Sequence, residues 1–202
     1  LLGRNGAGKT TTMKSIMQLV RPRQGKIIYQ GQDITGWPSH KVARNGLGYV
    51  PEERRIFTQL TVMENLEVGR QPPRDGCTTW TEDRVFDLFP NLAERRHNRG
   101  KALSGGEQQM LTIARTLMGN PAFILLDEPS EGIAPVIVEQ MARVILQLKA
   151  EGLTVLLSEQ NLHFAQAVAD GVVIIEHGTQ KFVGTFAALQ SQPEIRDQYL
   201  SV

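Results

Sequence analysis

Eight residues near the start of the chain, from Gly3 to Thr10, have the sequence Gly-Arg-Asn-Gly-Ala-Gly-Lys-Thr. Glycines at these positions let the backbone curl so that its N–H groups point inward around a bound phosphate. A helix that begins at such a loop adds the positive end of its dipole to the same place. The motif therefore predicts a strand, a phosphate-binding loop and a helix in succession, which restricts the chain to an α/β fold.

Side chains at the end of this loop carry the expected chemistry. Lys9 would bring its charge to the β- and γ-phosphates of ATP, and the hydroxyl of Thr10 would bind Mg²⁺. The alternative is a glycine-rich turn before a helix, without a ligand. We predict nucleotide contacts from Asn5, Gly6, Ala7, Gly8, Lys9, Thr10 and Thr11.

Composition excludes several other classes of protein. The net charge of +1 gives no bulk attraction to nucleic acid, and a single cysteine, Cys77, allows neither an internal disulfide nor a metal cluster built on thiolates. No apolar run approaches the roughly 18 residues that a membrane span requires, so any role at a membrane would come through partner proteins. The first residues, Leu1-Leu2, read as the end of a strand, and we expect the N-terminal strands of the fold to lie outside this sequence.

Apolar periodicity predicts one α/β domain over residues 1–202, with a mostly parallel sheet, a small antiparallel β element and a helical insert at about residues 52–105. Within the insert we expect a helix that begins at Thr61, a loop over 71–79 and one helix over 81–96. The remaining predicted helices span 10–20, 106–118, 136–150 and 162–169. Predicted strands lie at 26–29, 48–51, 123–127, 153–157 and 172–175.

Four apolar residues and two carboxylates make up the segment from Phe123 to Glu128. This pattern is typical of a buried parallel strand that ends in acid at the carboxyl edge of the sheet, where open α/β sheets bind ligands. Asp127 could hold Mg²⁺ through water, and Glu128 could polarise the attacking water as a general base. The pattern is weak alone, because many strands end in aspartate, but it stands in the correct order after a phosphate loop.

Leu103 to Gln109 reads Leu-Ser-Gly-Gly-Glu-Gln-Gln and resembles the signature motif of ABC ATPases. The resemblance extends over essentially the whole chain. A helix would begin at Ser104, Gly105 and Gly106, and its free N–H groups would form a second anion site, to which Glu107 belongs. The alternative is a capped helix start without a ligand. In the family, the signature of one subunit closes over the γ-phosphate at the other subunit's phosphate loop, so the resemblance implies a dimer with a second ABC ATPase subunit.

Two positions depart from the general ABC pattern. Glu52 stands where the family usually has a glutamine that reaches Mg²⁺ and the attacking water; a glutamate can still accept hydrogen bonds there but lacks the amide donors. Gln160 stands where the family usually has a histidine, and its amide could donate to the γ-phosphate but could not carry a proton. The resemblance therefore assigns catalytic roles to Glu128, Gln160 and Glu52, and metal contacts to Thr10, Asp127 and Glu52.

Further segments resemble the shorter ATPase subunit of bacterial branched-chain amino acid importers, whose counterparts in urea and short-chain amide importers are closely similar. They are 49–52, 55–57, 60–62, 64–66, 129–135 and 158–161. This resemblance implies an ATP-hydrolysing motor on the cytoplasmic face of the inner membrane. It would be held there by permease subunits and served indirectly by an external substrate-binding protein. In this family an N-terminal aromatic residue stacks on adenine, and no residue of the present chain takes that role.

Two other kinds of phosphate-loop protein have features that differ from this sequence. The ABC heads of chromosome and repair proteins carry a long coiled coil between phosphate loop and signature, whereas the segment between Lys9 and Ser104 is short and has no sustained heptads. A small-molecule kinase would have no use for the signature. The charge balance also provides no basic face for nucleic acid, and the sequence does not identify the transported substrate.

Overall fold

The computed structural model of the chain describes residues 1–200. The helices are α1 (Lys9–Ile16), α2 (Ser39–Arg44), α3 (Val62–Gly69), α4 (Glu82–Leu88), α5 (Pro90–Glu94), α6 (Gly105–Leu117), α7 (Pro135–Ala150), α8 (Leu162–Val168), α9 (Phe186–Gln190) and α10 (Pro193–Leu200). The strands are β1 (Ile28–Tyr29), β2 (Gln32–Asp33), β3 (Leu47–Val50), β4 (Phe123–Asp127), β5 (Thr154–Ser158), β6 (Val172–Glu176) and β7 (Thr179–Gly184).

A parallel sheet with the order β3-β4-β5 forms the centre of the fold. In β4, Ile124, Leu125 and Leu126 are fully buried, as expected of a strand covered on both faces. Asp127 is in register with Ser158 on β5. Because the three strands are parallel, their carboxyl ends share one edge, and this edge carries the predicted acidic residues.

The first two residues connect this sheet to the antiparallel pair β6–β7. Leu2 forms parallel β-bridges to Glu159, which follows β5, and to Ile174 on β6. The backbone hydrogen bonds run from Leu1 N to Leu157 O (2.6 Å), from Glu159 N to Leu1 O (3.0 Å), from Leu2 N to Val173 O (2.8 Å) and from Ile175 N to Leu2 O (2.9 Å). Leu1-Leu2 thus lies between β5 and β6 as strand-like backbone, and the phosphate loop leaves the sheet at its centre.

The helical region between β3 and α6 shares a core with the sheet. Val62 and Leu66 on α3 are fully buried in the same apolar cluster as Ile124 and Leu126 on β4. A second cluster, on Met13, Met17 and neighbours, packs against the other face of the sheet. The boundaries of an insert at about 52–105, and its behaviour as a separate unit, remain a prediction.

The α/β fold class is confirmed, with corrections to individual elements. The single helix predicted over 81–96 is wrong: α4 ends at Leu88 and α5 begins at Pro90, because Phe89 precedes a proline and leaves the helical region of backbone space. Thr81 does cap α4 as predicted. The first helix ends at Ile16 rather than at residue 20, and Gln18 beyond it has a left-handed φ of 57°.

Several elements were not predicted. These are α2, β7, α9 and α10. The sequence does contain a signal for β7, because Gly178 follows a run of apolar residues at a place where a two-residue hairpin turn can form. In the structure His177 and Gly178 both adopt positive φ and form this turn. Within residues 1–200, no helix combines the length and the apolar character needed to cross a bilayer.

Candidate functional site

The phosphate loop lies at the carboxyl edge of the sheet, and its glycines are required by its shape. Gly6 and Gly8 have φ values of 78° and 105°, which side chains disfavour. A Cβ on Gly3 would lie 2.5 Å from the carbonyl oxygen of Ile175. The loop therefore needs glycine at Gly3, because a side chain there would clash with the backbone of Ile175. It needs glycine at Gly6 and Gly8 because their positive φ values disfavour side chains.

Lys9, the first residue of α1, is nearly buried, with 3% of its surface exposed. Its Nζ donates to the carbonyl oxygens of Gly3 (2.6 Å) and Arg4 (3.1 Å). It also lies 3.0 Å from Oε1 of Glu128. The structure thus brings the lysine of the loop and the glutamate after β4 together as a buried ion pair.

Asp127, at the end of β4, is fully buried and accepts hydrogen bonds from three hydroxyl groups. Thr10 donates to Oδ1 at 3.1 Å, Ser158 donates to Oδ1 at 2.6 Å and Tyr49 donates to Oδ2 at 3.0 Å. Burial, together with the charge of Asp127 and its hydrogen bond, raises the pKa of Tyr49, which keeps the phenol protonated as a donor.

The oxygens of Thr10 and Asp127 fit Mg²⁺, which prefers hard oxygen ligands and is usually held by one or two carboxylates together with substrate phosphates. Among residues 1–200, no group of three or more His, Cys, Asp or Glu side chains could hold a metal by itself. A magnesium ion bound to Thr10 and Asp127 would complete its coordination with water and the phosphates of ATP, as is usual for this ion.

Glu128 has a left-handed φ of 45°, unusual for a residue with a side chain, and is 7% exposed. Burial raises the pKa of Glu128, but hydrogen bonds from Gln160 and Lys9, with the charge of Lys9, outweigh burial and hold that pKa below its usual range. The carboxylate is therefore ionised at neutral pH and is available as an acceptor for the hydrogen of a water molecule.

Gln160 lies between the phosphate loop and this carboxylate. Its Nε2 donates to Oδ1 of Asn5 at 2.7 Å and to Oε2 of Glu128 at 2.6 Å. The structure thus brings Gln160 into contact with two other predicted site residues, Asn5 and Glu128. Its action on the γ-phosphate stays a prediction.

A cavity of about 340 Å³ opens between these residues, lined by Asn5, Gly6, Ala7, Gly8, Lys9, Thr10, Thr11, Glu52, Glu128 and Glu131. Glu52 is exposed, and its side chain forms no hydrogen bond or ion pair within the described residues. Its predicted contacts with Mg²⁺ and water also stay predictions.

The site also contains Glu131, Tyr49 and Ser158, for which the sequence predicts no role. A hydrogen bond with Glu128, burial and the neighbouring carboxylates raise the pKa of Glu131. Ser158 could have been identified from strand register, since it is paired with Asp127 in the parallel ladder. Tyr49 reaches Asp127 from the neighbouring strand β3, a contact that depends on the order of strands in the sheet.

The signature residues lie elsewhere, at the start of α6, and none lines the cavity of the phosphate loop. Ser104 accepts from the N–H of Glu107 at 3.3 Å, and the N–H of Ser104 donates to the Glu107 carboxylate at 2.7 Å. Arg95 also contacts this carboxylate at 2.7 Å. Glu107 thus completes a capping box, while the N–H groups of Gly105 and Gly106 remain at the helix start for the predicted nucleotide contact.

Comparisons with known proteins agree with this geometry. Residues 1–131 match the family model described as ABC transporter. The chain is 44% identical to the high-affinity branched-chain amino acid transport ATP-binding protein BraG of Pseudomonas aeruginosa, over 99% of this chain and 86% of the relative. It is 39% identical to the lipopolysaccharide export system ATP-binding protein LptB of Haemophilus influenzae, over 99% of this chain and 84% of the relative.

A solved structure extends the similarity to the fold. The ADP conformation of MJ1267, an ATP-binding cassette of an ABC transporter, superposes with a TM-score of 0.79 at 25% identity. The superposition covers 97% of this chain and 84% of the other.

Proposed function

This chain belongs to the ABC transporter family and is an ATP-hydrolysing subunit, and we propose that it is the motor of a bacterial importer for branched-chain amino acids. The observation that carries the substrate class is the 44% identity with BraG over nearly the whole chain. The motif segments around Glu52 and Gln160, which resemble the shorter ATPase of such importers, support the same choice.

In the proposed mechanism, the backbone N–H groups of the phosphate loop and the charge of Lys9 hold the β- and γ-phosphates of ATP. Thr10 and Asp127 would hold Mg²⁺, which when bound would neutralise charge on the phosphate oxygens. Glu128, kept ionised by Lys9 and Gln160, accepts a proton from the attacking water. The Nε2 of Gln160 donates to Asn5 and to Glu128. When ATP binds, the N–H that contacts Asn5 would turn to the γ-phosphate, while the other N–H stays on Glu128.

The signature residues act in a second subunit's site. Because Ser104, Gly105 and Gly106 lie outside the cavity of their own phosphate loop, they are free to contact the nucleotide of a partner ATPase. ATP binding would then close the dimer, and hydrolysis would open it. Identical and different partner subunits both fit this arrangement.

Closure of the dimer would act on permease subunits through the helical insert at about 52–105, near Glu52. The chain would thus work at the cytoplasmic face of the inner membrane, attached through the permease, and receive its substrate signal indirectly from an external binding protein. We propose no nucleic-acid partner, in line with the balanced charge.

Lipopolysaccharide export is the second candidate, because LptB relatives are 38–39% identical over the same span. Urea or short-chain amide import and a non-transport ABC ATPase are further alternatives from the sequence. All of these share the ATP site and differ in the membrane partner, so the permease decides between them.

The test uses the full-length subunit, purified from membranes with its bound partners and reconstituted in proteoliposomes. Leucine, isoleucine or valine, supplied with the external binding protein encoded beside the permease, should stimulate ATP hydrolysis and be taken up. Urea and acetamide serve as the matched alternatives. Stimulation by lipopolysaccharide, or recovery of nucleic acid without a permease, would overturn the importer.

A further inference from the structure

Glu159 follows β5 and is a buried carboxylate to which the mechanism above assigns no role. Only 2% of its surface is exposed, and it does not line the cavity of the phosphate loop. Its Oε1 accepts a hydrogen bond from the backbone N–H of Ser130 at 3.0 Å. Its Oε2 accepts from the backbone N–H groups of Gln160 and Asn161, both at 3.2 Å.

The two oxygens therefore hold two different loops. Ser130 belongs to the loop after β4, between Glu128 and Glu131, which both line the cavity. Gln160 belongs to the loop after β5, and its side chain donates to the Glu128 carboxylate. One carboxylate thus ties the backbone of the loop that carries the proposed base to the backbone of the residue whose amide contacts that base.

Folding stability does not favour the ionised form of Glu159 at this buried position. Burial raises the pKa of Glu159, and its hydrogen bonds from Ser130 and Asn161 do not fully compensate. A raised native pKa means that the ionised form costs the fold stability at neutral pH. Buried ionisable groups with a perturbed pKa are concentrated at functional sites, and Glu159 contacts a residue of this one.

We propose that Glu159 is a positioning residue for ATP hydrolysis, which holds the loop after β4 and the loop after β5 in the relative placement that keeps the Gln160 amide on Glu128. The inference rests on the proposed roles of Glu128 and Gln160 and is independent of the transported substrate. Glu159 acts through these residues and does not itself contact nucleotide.

Replacement by glutamine tests the geometry, because it preserves the size and shape of the side chain. A glutamine offers one acceptor oxygen and one NH₂ group. Whichever way it turns, the NH₂ group faces the N–H of one loop and repels it. Glu159→Gln should therefore release one loop, whereas Glu159→Asp retains two acceptor oxygens and the charge on a shorter stem.

The measurement is steady-state hydrolysis by the full-length subunit in its assembled transporter. Removing a hydrogen-bond partner that orients a metal ligand typically costs about 10- to 100-fold in activity, and Glu159 would orient the proposed base in the same indirect way. We expect a loss of this size in kcat for Glu159→Gln with an unchanged KM for ATP, and an intermediate kcat for Glu159→Asp. The matched control is Glu151→Gln, which removes an ion pair with Arg84 on the far side of the domain and should leave both constants unchanged.

A double-mutant cycle with Gln160→Ala identifies the route of the effect. If Glu159 acts through Gln160, the double variant should lose no more kcat than Gln160→Ala alone. Additive losses, a wild-type kcat in Glu159→Gln, a full kcat in Gln160→Ala, or a rise in KM that accounts for the loss would each overturn the proposal. Failure of the importer assignment would instead appear in the wild-type transporter, as absence of amino acid uptake.

Discussion

Replacing Glu128 by glutamine should separate ATP binding from ATP hydrolysis, because the carboxylate has opposite effects on the two. It pairs with Lys9 across 3.0 Å, with both groups nearly buried. At an effective dielectric constant of about 20, two charges at this distance attract with about 5.5 kcal/mol before desolvation is subtracted. ATP has to compete with this carboxylate for the ammonium and also meets its negative charge.

Glu128→Gln removes the negative charge that competes with ATP for Lys9, and it keeps the size and shape of the side chain. If only a quarter of the attraction survives desolvation, the gain of about 1.4 kcal/mol tightens ATP binding about tenfold. Loss of the general base should slow hydrolysis by about 10²- to 10⁴-fold. The variant should therefore retain ATP and accumulate as the closed dimer.

The assay combines nucleotide titration, single-turnover hydrolysis and light scattering on the full-length subunit with its partner. Single turnover is needed because a second site in the partner could sustain steady-state activity. Glu151→Gln is the control, because Glu151 pairs with Arg84 and does not line the cavity of the phosphate loop. Weaker ATP binding by Glu128→Gln would refute the competition for Lys9, and hydrolysis at the wild-type rate would refute the assignment of the base.

Three further predictions concern the rest of the site and the core. Tyr49→Phe removes the hydroxyl that donates a hydrogen bond to Asp127. The Mg²⁺ concentration for half-maximal hydrolysis should rise by about fivefold, the equivalent of about 1 kcal/mol. An unchanged Mg²⁺ titration would contradict this role. Leu66→Ala should lower the free energy of unfolding in urea by about 2–5 kcal/mol, with the exposed Val68→Ala on the same helix as control; equal effects would mean that α3 does not share the core. Lys9→Ala should reduce transporter turnover less than replacement of the phosphate-loop lysine in a non-identical partner subunit, because Glu52 and Gln160 make the site of this chain chemically unusual. Equal losses from the two replacements would argue against two ATP sites of unequal activity.

The parts of the fold that the sequence predicted are those specified by short-range patterns. β4 has the predicted bounds because an uninterrupted apolar run between a turn and two acids leaves few alternatives. The phosphate loop is specified by its glycines. The break at Phe89-Pro90 was also locally encoded, but the apolar periodicity of α4 and α5 continues across it and suggested one helix.

Other features depend on contacts between distant segments. Leu1-Leu2 belongs to the sheet only because β5 and β6 lie on either side of it. The hydroxyl of Tyr49 reaches Asp127, and the carboxylate of Glu159 reaches Ser130, only because of the strand order and the loop paths. No local pattern distinguishes these side chains from ordinary polar residues at strand ends.

The structure gives a reason to select Glu128 as the base that is separate from family resemblance. Three glutamates near the end of β4 have shifted pKa values, and their environments move them in different directions. Glu131 and Glu159 have raised pKa values, the first chiefly through its hydrogen bond to Glu128 and the second through burial. Only Glu128 combines a lowered pKa, a place in the cavity and contact with Lys9. Because neighbouring carboxyl groups whose pKa values are driven apart take different roles, Glu128 is the one that remains an ionised acceptor beside the phosphate loop, whereas the raised pKa of Glu131 favours its protonated form.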